Sequence, residues 1–281
     1  MLSEQGFDSI IQVISTKGDR VLEKPLPEIG GKGLFTQELE QSLINGSTDI
    51  AVHSAKDLPT TDPEGLCVAA FMKREKCTDC LVSSSSNSIT SISELPFGAN
   101  VGTSSLRRQA QILNLRPDLK VSSIRGNVDT RIKKMLSKEV DILVLASAGV
   151  IRLGFDKRSD LCISHLDELS FLPAVGQGAI AIQCRQNDLN LFRCLTDKAT
   201  HHRIIAEREL LKRLEGGCSL PLGVKSEYLG QEQVRLRAKL LSLDGKMTVE
   251  STGKGKPHRA VEQILASMDQ QKLSLIRKSL I

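Results

Sequence analysis

Residues 101–146 read VGTSSLRRQA QILNLRPDLK VSSIRGNVDT RIKKMLSKEV DILVLA, and the order of apolar and polar stretches in them decides the fold. Val101-Gly102 is a short strand, the spacing predicts a helix over 104–115, a strand over 121–124 and a helix over about 129–137, and the apolar run 140–146 is a third strand. Alternation of this kind implies right-handed crossovers and a parallel sheet, and open sheets so built take ligands beyond the carboxyl ends of their strands. The expected class is therefore α/β.

Outward from this core, residues 9–15 (SIIQVIS) read as a strand, and a Gly/Pro-rich connection over 18–33 runs into an amphipathic helix with Phe35, Leu39 and Leu43 on one stripe. A short strand over 49–54 precedes AKDLP (55–59), where Pro59 holds Leu58 extended and makes the segment a loop rather than a helix start. Polar residues 83–93 are a surface connection at a domain edge. Beyond the core, residues 174–183 (AVGQGAIAIQ) are a candidate return strand, and 199–214 form a charged amphipathic helix ending at Gly216-Gly217. Val234, Leu236, Ala238 and Leu240 alternate with Arg235, Arg237 and Lys239, Asp244-Gly245 turns the chain into 246–251, and a helix from about Arg259 follows. This last third reads as a small α+β unit.

At 281 residues the chain exceeds one small core and is expected to hold two or three domains. No stretch approaches the roughly 18 uninterrupted apolar residues of a membrane helix, and a hydrophobic fraction of 40% argues against disorder. Seven Phe, one Tyr and no Trp are few stacking platforms for a single-strand nucleic-acid binder, although a net charge of +5 permits one. Residues 1–8 carry neither a basic nor an apolar segment, so no signal or transit peptide is expected. An odd number of cysteines, seven, forms no disulfide framework and suits a reducing compartment. Cys77 and Cys80 have half-zinc spacing, but no second pair follows and no histidine sits at a matching interval, so the expectation is loop cysteines and no metal.

The chemistry concentrates at strand ends. Thr103, Ser104 and Ser105 open a helix with hydroxyls and free N–H groups, while Arg107 and Arg108 place cations in its first turn, where an anion is needed to make them favourable. Arg125 and Asn127 end the next strand, Arg131 falls in the first turn of the next helix, and Arg152 follows the third strand, so five arginines are expected to converge on one crevice. Eight Lys/Arg against two Asp between 101 and 135 hold most of the chain's excess charge. Arginine forks bind carboxylates and phosphates bidentately, which points to a ligand bearing several acidic groups rather than to a solvated basic face. Asp57, beside Lys56 and just past a strand end, is either an ordinary turn aspartate or an ionised group that stabilises a cationic intermediate and exchanges protons with it. Gly30-Gly31-Lys32-Gly33 lacks the first glycine and the following Ser/Thr of a phosphate loop, and no dinucleotide fingerprint occurs. Cys218, in a small-residue loop joining two domains, is either an accessible nucleophilic thiol or a plain loop cysteine.

Taken together, GGKGLFTQELE (30–40), DIAVHSAKDLP (49–59), VGTSSLRRQ (101–109), IRGNVDTR (124–131), LPAVGQGA (172–179) and LEGGCSLP (214–221) resemble the porphobilinogen deaminase (hydroxymethylbilane synthase) family, in the family's order and across nearly the whole chain. The resemblance implies two periplasmic-binding-protein-like (type II) α/β domains flanking a cleft and a small C-terminal α+β domain. Residues 1–75 and 176–196 would form domain 1, 78–172 domain 2, and 197–281 domain 3 with the cofactor loop. It implies a transferase of tetrapyrrole and haem biosynthesis that joins four porphobilinogen units head to tail with release of ammonia, then hydrolyses the product to hydroxymethylbilane. The primer would be a dipyrromethane cofactor held by a thioether to Cys218, with Asp57 as the catalytic aspartate. Arg107, Arg108, Arg125, Arg131 and Arg152 would grip the acetate and propionate groups, with Asp19, Lys32, Lys56, Thr103, Ser104, Ser105, Asn127 and Gln177 around them. The resemblance further implies a cytoplasmic monomer (plastid if a transit segment was removed) acting on a small molecule, with neither nucleic acid nor membrane as partner. Family members usually begin with a strand and helix bearing an Arg-x-Ser element ahead of the segment matching residues 9–15; this sequence has no equivalent, so the first domain is expected to lack them. A shortened relative with little or no activity and a non-catalytic two-lobed anion-binding protein are the alternatives.

Overall fold

The computed structural model describes residues 2–20, 33–87, 89–215 and 220–278, and among these three sheets organise the chain. The first sheet joins β1 (Ile50–Ser54), β2 (Leu66–Phe71) and β8 (Ile180–Arg185) in the order β1-β8-β2, antiparallel throughout. The middle sheet holds β3 (Asp79–Ser84), β4 (Asn100–Gly102), β5 (Lys120–Ser122), β6 (Ile142–Ala146) and β7 (Leu161–His165) in the order β5-β4-β6-β3-β7. The third is the meander β9 (Leu222–Gly230), β10 (Gln233–Leu241) and β11 (Thr248–Gly255).

The middle sheet is the strand–helix alternation made solid. α2 (Leu106–Leu115) connects β4 to β5 and α3 (Val128–Leu136) connects β5 to β6, with β4 parallel to both neighbours. Wholly parallel pairing was the expectation, and it holds only for these three strands. β3 pairs antiparallel with β6 and β7, because β3 enters from the first lobe and β7 leaves towards it, so neither belongs to a βαβ unit. Val101, Ile142, Leu143 and Val144 are fully buried, as expected of strands covered on both faces.

The third sheet follows its alternation closely. Val234, Leu236, Ala238 and Leu240 are fully buried against α5 (Lys198–Arg213) and α6 (Pro257–Ser267), while the interleaved cations lie on the other face. Asp197 caps α5 by accepting from Thr200 N at 2.8 Å. The closing helix is two helices, α6 and α7 (Gln270–Lys278), because Met268 is extended between them.

The N-terminal reading needs correction. Residues 7–16 form neither helix nor strand, and Ile10, Ile11 and Val13 stand 99%, 89% and 90% exposed. Their alternation suits a strand, but among the described residues no strand pairs with them, and an unpaired strand has no reason to persist. The helix expected after them is α1 (Gln37–Ile44), with Leu43 fully buried and Leu39 packed beside it. Residues 55–57 also differ from a plain loop. They make one 3₁₀ turn, which Leu58 ends in extended geometry (φ −73°, ψ 135°) as its proline neighbour requires. The return strand starts late, at Ile180, because residues 174–179 are spent on a turn with Gly176 and Gly178 both at positive φ.

Candidate functional site

β1 delivers the chain into the 3₁₀ turn Ala55–Asp57, which places Lys56 and Asp57 beyond the strand end. The turn is fixed from behind. Ala55 N donates to Ala179 O at 3.0 Å, and Gly176 lies so close that an added Cβ would stand 2.8 Å from Ala55 C and Lys56 N. Positive φ at Gly176 (74°) and this approach both demand glycine. From the other side, Arg208 of α5 donates to Pro59 O at 2.6 Å and Leu58 O at 3.4 Å.

Both groups of the turn are perturbed. Burial raises the Asp57 carboxyl above the usual range, with Lys56 and Arg131 pulling it back; burial lowers the Lys56 ammonium, with Asp57 opposing. A carboxylate and an ammonium side by side in a poorly solvated place are poised to exchange or hold a proton. Arg131 is lowered to about 10, chiefly by burial and then by Arg108 and Arg125, so guanidinium groups do crowd here. Arg131 Nε donates to Gly126 O at 2.7 Å, which ties the guanidinium to the turn before its own helix.

The five arginines do not play equal parts. Arg107 and Arg108 turn inward from the first turn of α2 and are held by Asp79, which is fully buried at the start of β3. Arg107 donates to Asp79 Oδ2 at 2.8 Å and to Leu172 O at 2.7 Å. Arg108 reaches Asp79 Oδ1 from Nε at 3.0 Å and from Nη2 at 2.7 Å, and Val144 O from Nη1 at 3.0 Å. Burial alone would raise the Asp79 carboxyl; the two guanidinium groups overcome it and hold it at about 2. The Arg107 Nε is nevertheless buried with no hydrogen-bond partner among the described residues. Arg152 is exposed and donates to Gly178 O at 2.8 Å, spanning from α4 (Ser147–Arg152) to the turn behind Asp57. Arg125 is half-buried beside Arg131.

The hydroxyl and amide residues mostly shape the backbone. Ser105 caps α2 and Asn127 caps α3, the latter accepting from Thr130 N at 2.8 Å. Thr103 Oγ1 accepts from Ser105 N at 3.2 Å, and Ser104 Oγ donates to Ile124 O at 2.6 Å. Gln177 donates from Nε2 to Cys77 O at 2.7 Å and to Asp79 Oδ1 at 3.0 Å, locking the Asp57-side turn to the arginine anchor. Lys32, Cys218 and the side chain of Asp19 lie outside the described residues.

Two connections join the first and middle sheets, residues 72–78 and 166–179, and they bond to each other through Glu75 N to Gly178 O at 3.1 Å. α5 pins both. Buried Glu207 accepts from Arg74 Nη1 at 2.5 Å and from Gly176 N at 2.8 Å, Ser226 Oγ donates to the same carboxylate, and Arg74 Nε reaches Gln177 O at 2.8 Å. Sequence reasoning missed Asp79, Arg74, Glu207 and Arg208. Asp79 carries a faint signal, a charged residue opening the apolar run CLV within the same chain as an Arg-Arg helix start. The other three show none, since each is one charge among many on a polar stretch. Cys77 and Cys80 are both buried, the former donating to Glu168 at 3.5 Å from the connection 72–78, where it is a loop cysteine as expected, and the latter to Leu145 O at 3.6 Å from within β3, so only Cys80 departs from the loop expectation. Among the described residues no group of three His, Cys, Asp or Glu is placed to hold a metal.

Residues 1–193 match the family model for the porphobilinogen deaminase dipyromethane cofactor binding domain, and residues 201–268 match that for the porphobilinogen deaminase C-terminal domain. The chain is 43% identical over 255 residues to the porphobilinogen deaminase of Desulforamulus reducens, covering 90% of this chain and 80% of that one. It is 42% identical over 261 residues to that of Bacillus subtilis, covering 92% and 82%. Among solved structures, the periplasmic aliphatic sulphonate binding protein SsuA from Escherichia coli matches 63% of this chain and 57% of its own at 14% identity with a TM-score of 0.39, too loose a likeness to add to the sheet orders above.

Proposed function

The chain belongs to the porphobilinogen deaminase family, and from that premise we propose which of its residues do the work. The reaction is the transferase chemistry of that family: head-to-tail condensation of four porphobilinogen units with release of ammonia, then hydrolysis to hydroxymethylbilane. The resident cofactor is dipyrromethane. The residues suit such a group. Around Asp57 and Asp79 the cations Lys56, Arg107, Arg108 and Arg131 outnumber the carboxylates, and Arg107 Nε is a buried donor with no acceptor among the described residues. When bound, the cofactor supplies a covalent primer, tethered through Cys218, for the growing chain.

One observation carries the assignment of Asp57. It is a single carboxylate at a strand end, raised by burial and flanked by Lys56 and Arg131, fixed in place by Gly176 and Arg208. Loss of ammonia from porphobilinogen leaves an electron-poor, positively charged pyrrole. Asp57 balances that charge and takes and returns the proton at the pyrrole nitrogen. Arg131, Arg125, Arg152 and Lys56 hold acetate and propionate groups by charge-assisted hydrogen bonds, and Lys32 and Asp19, assigned from the family motifs alone, belong to the same proposal. Arg107 and Arg108 do so from a fixed platform, since Asp79 holds them in place at the cost of some of their donors. Thr103, Ser104, Ser105 and Asn127 present helix N-termini to the same anions, and Gln177 keeps the turn behind Asp57 in register.

The division into residues 1–75 with 176–196, 78–172 and 197–281 is part of this reading, supported by one sheet in each unit. It extends to a cytoplasmic monomer with a small-molecule substrate and neither nucleic acid nor membrane as partner, which sedimentation and fractionation check. Among the described residues no helix is long and apolar enough to cross a membrane. The central test is Asp57→Asn in the holoenzyme. Intact mass should show the adduct still on Cys218 while turnover drops by about 10²-fold or more. The acid limb of kcat in the unaltered protein should lie above the ordinary carboxylate value of about 4. Near-normal turnover in the variant removes Asp57 from the mechanism.

A further inference from the structure

Cys67 on β2 and Cys184 on β8 face one another directly in the antiparallel register, 117 residues apart in sequence, with Sγ atoms 4.0 Å apart. Facing residues on antiparallel strands have Cα atoms about 4.5–5.5 Å apart, within the span of about 4.4–6.8 Å that disulfides occupy. Only side-chain rotation and a small strand adjustment separate the present contact from a bond, and the register shift between Val68 and Ala70 gives β2 room to adjust. Cys67 is half-buried and open to a small reagent, whereas Cys184 is fully buried. No third metal-binding side chain joins them among the described residues, which disfavours a metal.

We propose that Cys67 and Cys184 are a reversible disulfide site, oxidised by exchange with a small disulfide such as glutathione disulfide. The Cys67 thiolate attacks one glutathione sulfur and one glutathione leaves. The Cys184 thiolate then attacks Cys67 Sγ, the protein–glutathione bond breaks, and the second glutathione leaves. Two protein S–H bonds are lost and one S–S bond gained, glutathione disulfide is reduced to two thiols, and the protons end on them. Burial raises both thiols, Cys184 to about 12, with Asp188 adding to it for both, Asp62 for Cys67, and Arg185 opposing for Cys184. Exchange is therefore slow at neutral pH and faster in alkali.

The bond would staple the first sheet at the end away from Asp57, because Cys184 lies opposite Ile50 while Ser54, next to the Lys56–Asp57 turn, lies opposite Ile180. It would also close a loop containing the whole middle sheet, so it should restrict the unfolded chain strongly and the cleft hardly at all. This inference does not depend on the role of Asp57.

The test equilibrates the full-length holoenzyme with graded mixtures of glutathione and glutathione disulfide, followed by acid quench, alkylation and peptide mapping. A linked Cys67–Cys184 peptide, a mass lower by two hydrogens, a melting temperature raised by about 5–10 °C and turnover within two-fold of the reduced enzyme are expected. In Cys67→Ser and in Cys184→Ser, each compared with itself under the two conditions, the rise disappears. Glutathione retained on Cys67 beside an alkylatable Cys184 overturns the proposal. So does a bond to another cysteine such as Cys194, or a linked pair that melts no higher than the reduced protein.

Discussion

The first and middle sheets are both α/β in origin, yet one is thin and the other closed. The middle sheet has five strands, and Val101, Ile142, Leu143 and Val144 are sealed within it. The first has three, leaves Val52 57% exposed, and carries a cavity of about 200 Å³ lined by Ile50, Val52, Met72, Ile180 and Ile182 among others. Nearby, Ile10, Ile11 and Val13 stand in solvent. Apolar side chains are plentiful in both regions, so composition does not set the difference. What sets it is whether each strand finds neighbours on both edges, because a ladder orders the backbone before its side chains can interlock. The lobe with the thin sheet is the one that holds Asp57, and its turn depends on outside support from Gly176, Arg208 and Glu207.

The sharpest way to break the comparison is to remove the anchor of the stronger sheet. Asp79→Ala strands two buried guanidinium groups and should cost about 3–5 kcal/mol, read by denaturant unfolding; a small change would mean that Arg107 and Arg108 find other partners. Next, Leu143→Ala in the middle sheet should cost about 2–5 kcal/mol, whereas Val52→Ala in the first should stay within about 0.5 kcal/mol. Equal costs would erase the difference in packing.

Acid offers a subtler separation. His53 in β1, hydrogen-bonded to Gln183 at 3.0 Å, is lowered by burial from its ordinary value of 6.5. The folded state therefore binds that proton less readily than the unfolded chain, so stability is complete above about pH 6.5 and declines as pH falls below it. Asp79 is held at about 2 against an ordinary 3.8, so its contribution is complete above about 4 and lost as pH falls towards 2. Amides of β1 and β8 should lose exchange protection, corrected for intrinsic rates, between about pH 6.5 and 5, while those of β4 and β6 hold. Simultaneous loss would show that the sheets unfold as one. The smallest effect is at the exposed segment. The triple change Ile10→Ser, Ile11→Ser, Val13→Ser should leave stability within about 0.5 kcal/mol and reduce self-association in light scattering.

Much of this was legible in the chain. The alternation of Val234 to Leu240 and the run of β6 state which side chains are buried, because those patterns are local and each strand found the partner it needed. The strand ends that carry Lys56, Asp57, Arg125 and Arg131 followed from the same alternation. Residues 9–15 carry an equally clear pattern and form nothing, since a pattern states which face wants burial but not whether a neighbour exists to bury it. Cys67 and Cys184 share no motif, and only the register of β2 on β8 brings them together.

By itself the sequence determined the α/β class, the concentration of positive charge at strand ends and, through its motifs, the family. Tertiary structure alone decided that Asp79 turns Arg107 and Arg108 into a fixed platform, and that Arg74, Glu207 and Arg208 tie the turn bearing Asp57 to a helix far along the chain. The physical reason is range. Periodicity and capping act within one turn or one strand, whereas the partner of a buried charge is chosen by which segments the whole fold brings within about 3 Å.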